Sequence, residues 1–172
     1  QNIESDIYAS DRVISHFHAR DSLRHNIMLN KLDRKYYENG ISYWEKAIVF
    51  YNQFEIATNG YNLLVEMNDE IPDKYFEINK KIKKLYKRIP SIDEYNKNFK
   101  EIIWGIHDEL TYSYWFWVDD YYGEMSKEQI DFYTSNPYYK ALVQKVLNAS
   151  ALLNGIARYH RIEAIDIYNE IN

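Results

Sequence analysis

Three of the five histidines in this sequence lie within one short segment, SHFHARDSLRH, at positions 15–25. Imidazole and carboxylate groups that converge from neighbouring helices can bind metal ions or small ligands, so the segment is a candidate site. At about 100° per residue, His18, Asp21 and His25 share one helix face, whereas His16 lies off it. The spacing therefore predicts a row of three polar side chains along a single helix.

The same face carries the apolar residues that this helix must bury, namely Ile3, Ile7, Ile14, Phe17, Met28 and Leu32. Later segments place further polar residues on apolar faces. We therefore predict a polar layer in the core as the candidate ligand-binding site, composed of His18, Asp21, His25, Glu55, Asn62, His107 and His160.

A helical hairpin would bring parts of this layer together. If the first two long helices pack antiparallel around residues 39–42, residues whose numbers sum to about 80 lie level with each other. Glu55 would then lie within a hydrogen bond or one bridging water of His25, and Asn62 would face His18. A buried carboxylate needs such a partner, because an unpaired one costs several kcal/mol or takes up a proton.

The polar layer has two interpretations, a ligand or metal site and a structural network that fixes helix register. The Glu-x-x-His and His-Glu-x-x-His motifs of helical metal sites are absent from the sequence. If the last two long helices also pair, His107 and His160 are about 12 Å apart along the helix axis, too far for one shared centre. We therefore assign no metal ligand, and no catalytic residue.

A metal-dependent hydrolase is the alternative hypothesis. The all-helical HD phosphohydrolases use the pattern His…His-Asp…Asp, and His25, His107-Asp108 and Asp166 match it in order. The lysine that often follows is missing, and the first gap is long. An enzyme therefore ranks below a binding domain.

A second candidate surface is the aromatic run TYSYWFWVDDYYG at positions 111–123. On one continuous helix its rings would cover every side, so the helix must be enclosed or must meet a partner. Such residues could line a sugar or amine pocket or form a protein interface. The candidates are Tyr112, Tyr114, Trp115, Trp117, Asp119 and Asp120.

The basic amphipathic stretch NKKIKKLYKR at positions 79–88 also has two interpretations. It could contact anionic lipid or an acidic partner, or it could be the solvated outer face of a packed helix. Its apolar side is as wide as an ordinary core stripe, which favours the packed helix.

The composition indicates what kind of domain carries these residues. The 172 residues are 46% hydrophobic and 17% aromatic, with only 5 Gly and 3 Pro, which favours one domain of long helices over residues 1–172. The net charge of −5 argues against nucleic-acid binding. The chain has no Cys, no Gly-rich phosphate loop and no dinucleotide motif, so we predict no cofactor.

Helix start and stop signals predict an all-α fold, an elongated up-and-down bundle of four long helices and two short ones. Asn39-Gly40 would end the first helix, and Ser42-Tyr-Trp-Glu45 and Ser91-Ile-Asp-Glu94 are potential capping boxes, as is Ser126-Lys-Glu-Gln129. The predicted helices span residues 4–38, 42–67, 72–89, 91–122, 126–134 and 136–171.

Both ends of the chain resemble a known group of proteins, through ISHFHARDSLRHNIMLNKLDRKYYENG at 14–40 and SNPYYKALVQKVLNASALLNGIARYHRIEAIDIYNEI at 135–171. The resemblance is to uncharacterised Bacteroidota proteins in which one N-terminal membrane helix precedes an extracytoplasmic helical domain of unknown function. It implies an extracytoplasmic domain that binds a small molecule or a protein, as sensor and adaptor domains do; a cytoplasmic location is the alternative. Because the sequence begins Gln1-Asn2 without Met, we expect a membrane tether upstream of residue 1.

Overall fold

The computed structural model describes residues 2–38, 47–48, 53–67, 70–119 and 125–172, with only the backbone at 2, 118 and 119. All regular structure within these ranges is helical, and they contain no strand. The predicted all-α class is therefore confirmed, and the fold is consistent with a helical bundle.

Three long helices dominate the described chain: α1 (Asn2–Met28), α5 (Ile89–Ser113) and α8 (Pro137–Ile171). The shorter helices are α2 (Arg34–Glu38), α3 (Asn59–Glu66), α4 (Phe76–Tyr86), α6 (Phe116–Asp119) and α7 (Lys127–Ser135). One turn of 3-10 helix, Asp73–Tyr75, leads into α4.

The chain forms two compact units, each assembled from stretches that are distant in sequence. Unit 1 comprises Gln1–His16, Gln53–Asn96 and Leu152–Asn172. Unit 2 comprises Phe17–Asn52 and Lys97–Ala151. The single domain expected from chain length stays a prediction.

The core of unit 1 forms where α4 packs against the last turns of α8. Leu85 and Tyr86 of α4 are buried with Ala164 and Ile167, and the half-buried side chains around them are Ile3, Ile7, Ile56, Tyr61, Ile78, Ile82 and Ile89. Lys80, Lys81 and Lys84 of α4 are exposed. The basic side of the stretch is therefore the outer face of a packed helix, as the ordinary width of its apolar side predicts.

The core of unit 2 is rich in tyrosine. The Tyr37 and Tyr133 rings stack with their centroids 5.4 Å apart, and the Tyr139 ring meets Tyr133 edge-on at 5.1 Å. Phe116 and Trp117 are also buried in this unit. Offset and edge-to-face pairs of this kind add about 1 kcal/mol each beyond the area that they bury.

Helix α1 ends ten residues before the predicted boundary at Glu38, because Asn30 adopts a left-handed conformation with φ 53°. The Asn30 N–H donates to the Ile27 carbonyl at 3.1 Å, and the Lys31 N–H donates to the Asn26 carbonyl at 2.9 Å. These two bonds form a Schellman motif, which satisfies the last carbonyls of a helix. Asn is the residue other than Gly that most readily occupies this position.

The two predicted helix starts around α7 and α8 are confirmed. Ser126 and Gln129 form a capping box, in which the Ser126 hydroxyl accepts from the Gln129 N–H at 3.2 Å and the Gln129 side chain accepts from the Ser126 N–H at 2.5 Å. The Asn136 side chain accepts from the Tyr138 N–H at 2.8 Å, directly before Pro137. Local chemistry fixes both starts.

The predicted helix over residues 42–67 is wrong at residues 53–58, which are not helical; its last part is helical as α3, from Asn59. The Asn96 side chain holds this segment: its Oδ1 accepts from the Phe54 N–H at 3.0 Å, and its Nδ2 donates to the Phe54 carbonyl at 2.8 Å. An amide that pairs with both backbone groups competes directly with helix formation. The predicted stop at 39–40 and the capping box at 42–45 lie outside the described residues.

The two predictions around α5 are also wrong. It begins at Ile89, with Pro90 in its first turn, rather than at a capping box on Ser91. It ends at Ser113, not near Tyr122, and α6 follows after a two-residue break. Because α5 ends at Ser113, the aromatic residues of the run do not all lie on one helix. No single helix therefore has to be buried on every side.

Candidate functional site

The predicted core positions of His18 and His25 are wrong, because both side chains are exposed. The stripe of α1 that is buried consists of Asp6, Ser10, Val13, Phe17, Arg24 and Ile27. The isoleucines that defined the predicted stripe are only half-buried and flank it. Each of these two histidines follows a buried residue by one position, which turns it about 100° away from the core.

Glu55 and Asn62 are exposed as well, so their predicted core positions are wrong. Glu55 lies in the non-helical segment before α3, and Asn62 lies on α3, none of whose eight residues is buried. Without a helix over 53–58, the hairpin register that places Glu55 level with His25 loses its basis. Four of the seven residues predicted to form the polar layer are exposed, so the predicted buried layer is wrong for them.

His160 is buried in unit 1, as predicted, with 1% of its surface exposed. The edge of its ring packs against Phe54, with centroids 5.7 Å apart. Neither ring nitrogen has a hydrogen-bond partner among the described residues, and Nε2 lies 3.8 Å from Asp6 Oδ2. His160 thus belongs to a buried polar centre whose second member, Asp6, the sequence analysis did not identify.

Asp6 is fully buried and accepts two hydrogen bonds. Its Oδ2 accepts from the Tyr86 hydroxyl at 2.6 Å, and its Oδ1 accepts from the Ala57 N–H at 3.2 Å. Burial, together with the hydrogen bond to Asp6, raises the pKa of the Tyr86 hydroxyl well above its ordinary value. One carboxylate therefore links α1, the segment before α3, and α4 within unit 1.

Tyr86 connects this centre to the surface, because its ring forms part of a pocket of about 460 Å³. Tyr61 lines the same pocket and stacks on Tyr86, with centroids 4.7 Å apart and planes 4° from parallel. The remaining lining residues are Ile3, Asn59, Gly60, Leu63, Leu64 and Ile82. The walls are mainly apolar and aromatic, with one amide side chain, a composition typical of small-molecule sites.

Asp21 belongs to a different polar centre, in unit 2. Its Oδ1 accepts from Arg24 Nη1 and from the Ser150 hydroxyl, each at 2.8 Å. Arg24 is 1% exposed and also donates from Nε to the Ala47 carbonyl at 2.8 Å. Burial lowers the pKa of the Arg24 guanidinium, and the hydrogen bond to Asp21 opposes that shift. This centre is a closed set of mutual contacts and has the character of a structural pair.

His107 is half-buried in unit 2 and lies among aromatic rings rather than carboxylates. Its ring is 5.7 Å from Trp104 and 6.5 Å from Trp117, between centroids. Among the described residues, its acidic contact is with its sequence neighbour, Nδ1 to Asp108 Oδ1 at 3.9 Å.

The residues of the predicted aromatic surface differ in their exposure to solvent. Tyr112 and Trp115 are exposed, at 90% and 62%, whereas Trp117 is buried and Tyr114 is half-buried. Asp119 ends α6, and Asp120 lies outside the described residues. Part of the run therefore forms core, and two of its rings face water.

The hydrolase alternative finds no support in the described residues, where no three His, Asp or Glu side chains are placed to bind one metal ion. His25 and Asp166, two members of its pattern, are both exposed. In the described part of the chain, no helix has a stretch that is long and apolar enough to cross a membrane.

No family model, curated protein or solved structure matches this chain. Its function must therefore be inferred from its own residues. The resemblance to membrane-anchored Bacteroidota proteins stays a prediction.

Proposed function

We propose that this chain is a binding domain for a small, mainly apolar ligand, and that the pocket of unit 1 between α3 and α4 is its site. The observation that carries the proposal is the pocket itself. Its volume of about 460 Å³ lies within the range of about 300–1,000 Å³ typical of ligand sites.

The pocket is formed before a ligand arrives, because its aromatic wall is fixed on two sides. The Tyr86 hydroxyl is bound to the buried Asp6 carboxylate, and the Tyr86 ring is covered by Tyr61. Because these side chains are already ordered, ligand binding loses less conformational entropy, and the affinity is higher than for a flexible wall. The buried polar centre thus acts as the support of the pocket.

The exposed apolar side chains of α3 fit the same proposal. Leu63 and Val65 on α3 and Met67 just after its end are 58%, 45% and 51% exposed. An apolar ligand in the pocket would cover part of this surface, beginning with Leu63, which already lines the pocket. We also propose, from the resemblance at the two ends of the chain, that the domain works outside the cytoplasm on a membrane tether.

Fluorescence titration with N-phenyl-1-naphthylamine, a neutral dye that brightens in apolar sites, tests the pocket. We expect one dye molecule to bind per chain, and the substitution Leu63→Ser to weaken binding about fivefold, since about 1 kcal/mol of apolar contact is lost. Leu152→Ser is the matched control, because Leu152 is also in unit 1, is 59% exposed and lies outside the pocket. No dye binding, or equal weakening by both substitutions, would contradict the proposal.

A further inference from the structure

Two asparagines are buried among the described residues of unit 1, and they differ in the hydrogen bonds that their amide groups make. Asn96 is 3% exposed and pairs through both amide atoms with the backbone of Phe54. Asn79, on α4, is 8% exposed, and within the described part of the chain its Oδ1 accepts no hydrogen bond. A buried carbonyl without a partner destabilises a fold, so the presence of Asn79 at this position needs a reason.

Asn79 lines a second pocket of unit 1, of about 260 Å³, separate from the apolar pocket in every lining residue. The other lining residues are Ile71, Phe76, Lys80 and Lys83. Phe76 is 63% exposed, and its ring offers an apolar surface beside the two lysines. The pocket therefore combines an amide, positive charge and one aromatic ring.

We propose that this second pocket binds a small carboxylic acid that carries a hydroxyl group. The carboxylate would pair with the ammonium groups of Lys80 and Lys83. Asn79 Oδ1 is buried in this structure, so the hydroxyl would donate to it after a turn of the amide about its Cβ–Cγ bond, a torsion that is broad and soft. The apolar part of the acid would lie on Ile71 and Phe76, and the small volume limits the ligand to less than drug size.

The substitution Asn79→Leu separates binding from stability. It removes the unsatisfied carbonyl and keeps the branched shape of the side chain, so we expect Tm to rise by about 3 °C. The same change in Asn96→Leu, the matched control, leaves the Phe54 N–H and carbonyl unpaired and should lower Tm. A fall of Tm in Asn79→Leu would show that Asn79 is a structural residue and would overturn the proposal.

Isothermal titration with three probes measures the binding itself: 3-phenyllactate, 3-phenylpropionate, which lacks the hydroxyl, and 3-phenyl-1,2-propanediol, which lacks the carboxylate. We expect the natural chain to bind 3-phenyllactate about tenfold more tightly than either analogue. In Asn79→Leu the two acids should bind equally. In the double variant Lys80→Gln, Lys83→Gln, binding of 3-phenyllactate should fall to that of the diol, and 3-phenylpropionate, which also lacks the hydroxyl, should bind more weakly still.

Three results would overturn the proposal: no binding of 3-phenyllactate, a preference for the hydroxyl that survives Asn79→Leu, or unchanged binding in the double lysine variant. The proposal does not depend on the apolar pocket. N-phenyl-1-naphthylamine should bind Asn79→Leu as it binds the natural chain, so failure at one pocket is distinguishable from failure at the other.

Discussion

At the scale of single residues, the polar groups that matter most in this protein are the buried ones of α1. Asp6 and Arg24 occupy core positions where a hydrophobicity pattern predicts apolar side chains. Each is tolerated because it is hydrogen-bonded: Asp6 accepts from Tyr86 and Ala57, and Arg24 donates to Asp21 and Ala47. Both are therefore required for the stability of the units that they belong to.

Asp6→Ala should lower the free energy of unfolding by about 3 kcal/mol. The change leaves a buried tyrosine hydroxyl and a backbone N–H without their charged acceptor. Asp11→Ala, on the same helix, is the control: Asp11 is half-exposed and pairs with Arg161 at 2.5 Å, so its removal should cost less than about 1 kcal/mol. Urea denaturation of both variants measures the difference, and equal losses would show that Asp6 contributes no more than a surface ion pair.

The same residues explain how much of the candidate site could be predicted from the sequence. His160 was placed in the core correctly because α8 has a clear apolar stripe around it. On α1 the stripe passes through Asp6, Ser10 and Arg24, which no hydropathy pattern identifies as buried. Their burial depends on partners such as Tyr86 and Ser150, which only the folded chain brings near.

At the scale of helices and turns, helix starts that depend on nearby side chains can be predicted from the sequence. A helix interruption that depends on a side chain distant in sequence cannot. The starts at Ser126 and Asn136 follow from side chains within three residues of the backbone groups that they satisfy. The non-helical segment 53–58 depends on Asn96, more than forty residues later. The early end of α1 depends on the left-handed conformation of Asn30, whereas the sequence pattern predicts the stop at Asn39-Gly40.

The left-handed turn at Asn30 gives a prediction for the element that it ends. Asn30→Gly should leave stability within about 0.5 kcal/mol of the natural chain, because Gly adopts φ of 53° without strain. Asn30→Ala should cost about 1 kcal/mol, because a Cβ without a compensating side-chain hydrogen bond is strained in this region. Both variants lose the exposed contact between the Asn30 side chain and Lys140. The difference in stability between them therefore measures the backbone strain at position 30. Identical urea midpoints for the two variants would contradict this account of the turn.

At the scale of the whole molecule, the buried tyrosines make stability sensitive to alkaline pH. Burial raises the pKa of the hydroxyls of Tyr37, Tyr86 and Tyr139 above the ordinary value of about 10. In the unfolded chain these hydroxyls lose their protons above about pH 10, whereas in the folded chain they keep them. The stability that they contribute is therefore complete below pH 10 and is lost progressively as the pH rises above it.

Tyr139→Phe tests this dependence. Each such tyrosine contributes up to about 1.4 kcal/mol per pH unit to the fall in the free energy of unfolding above pH 10. The variant should show a shallower fall by about that amount in urea titrations between pH 9 and pH 11. Tyr112→Phe, which removes a ring that is 90% exposed, is the control and should leave the slope as it is. A slope that is the same in all three proteins would contradict the assignment.

The assembly of unit 1 from distant stretches has a consequence for the order in which the protein folds during synthesis. Unit 1 needs Gln1–His16, which are synthesised before every residue of unit 2, and Leu152–Asn172, which are synthesised after all of them. Every residue of unit 2 is made before the last stretch of unit 1 begins. Domains usually fold from the N-terminus onward as they emerge. Here unit 2 can be complete before the segment that carries His160 is available to Asp6, so the pocket-bearing unit folds after unit 2.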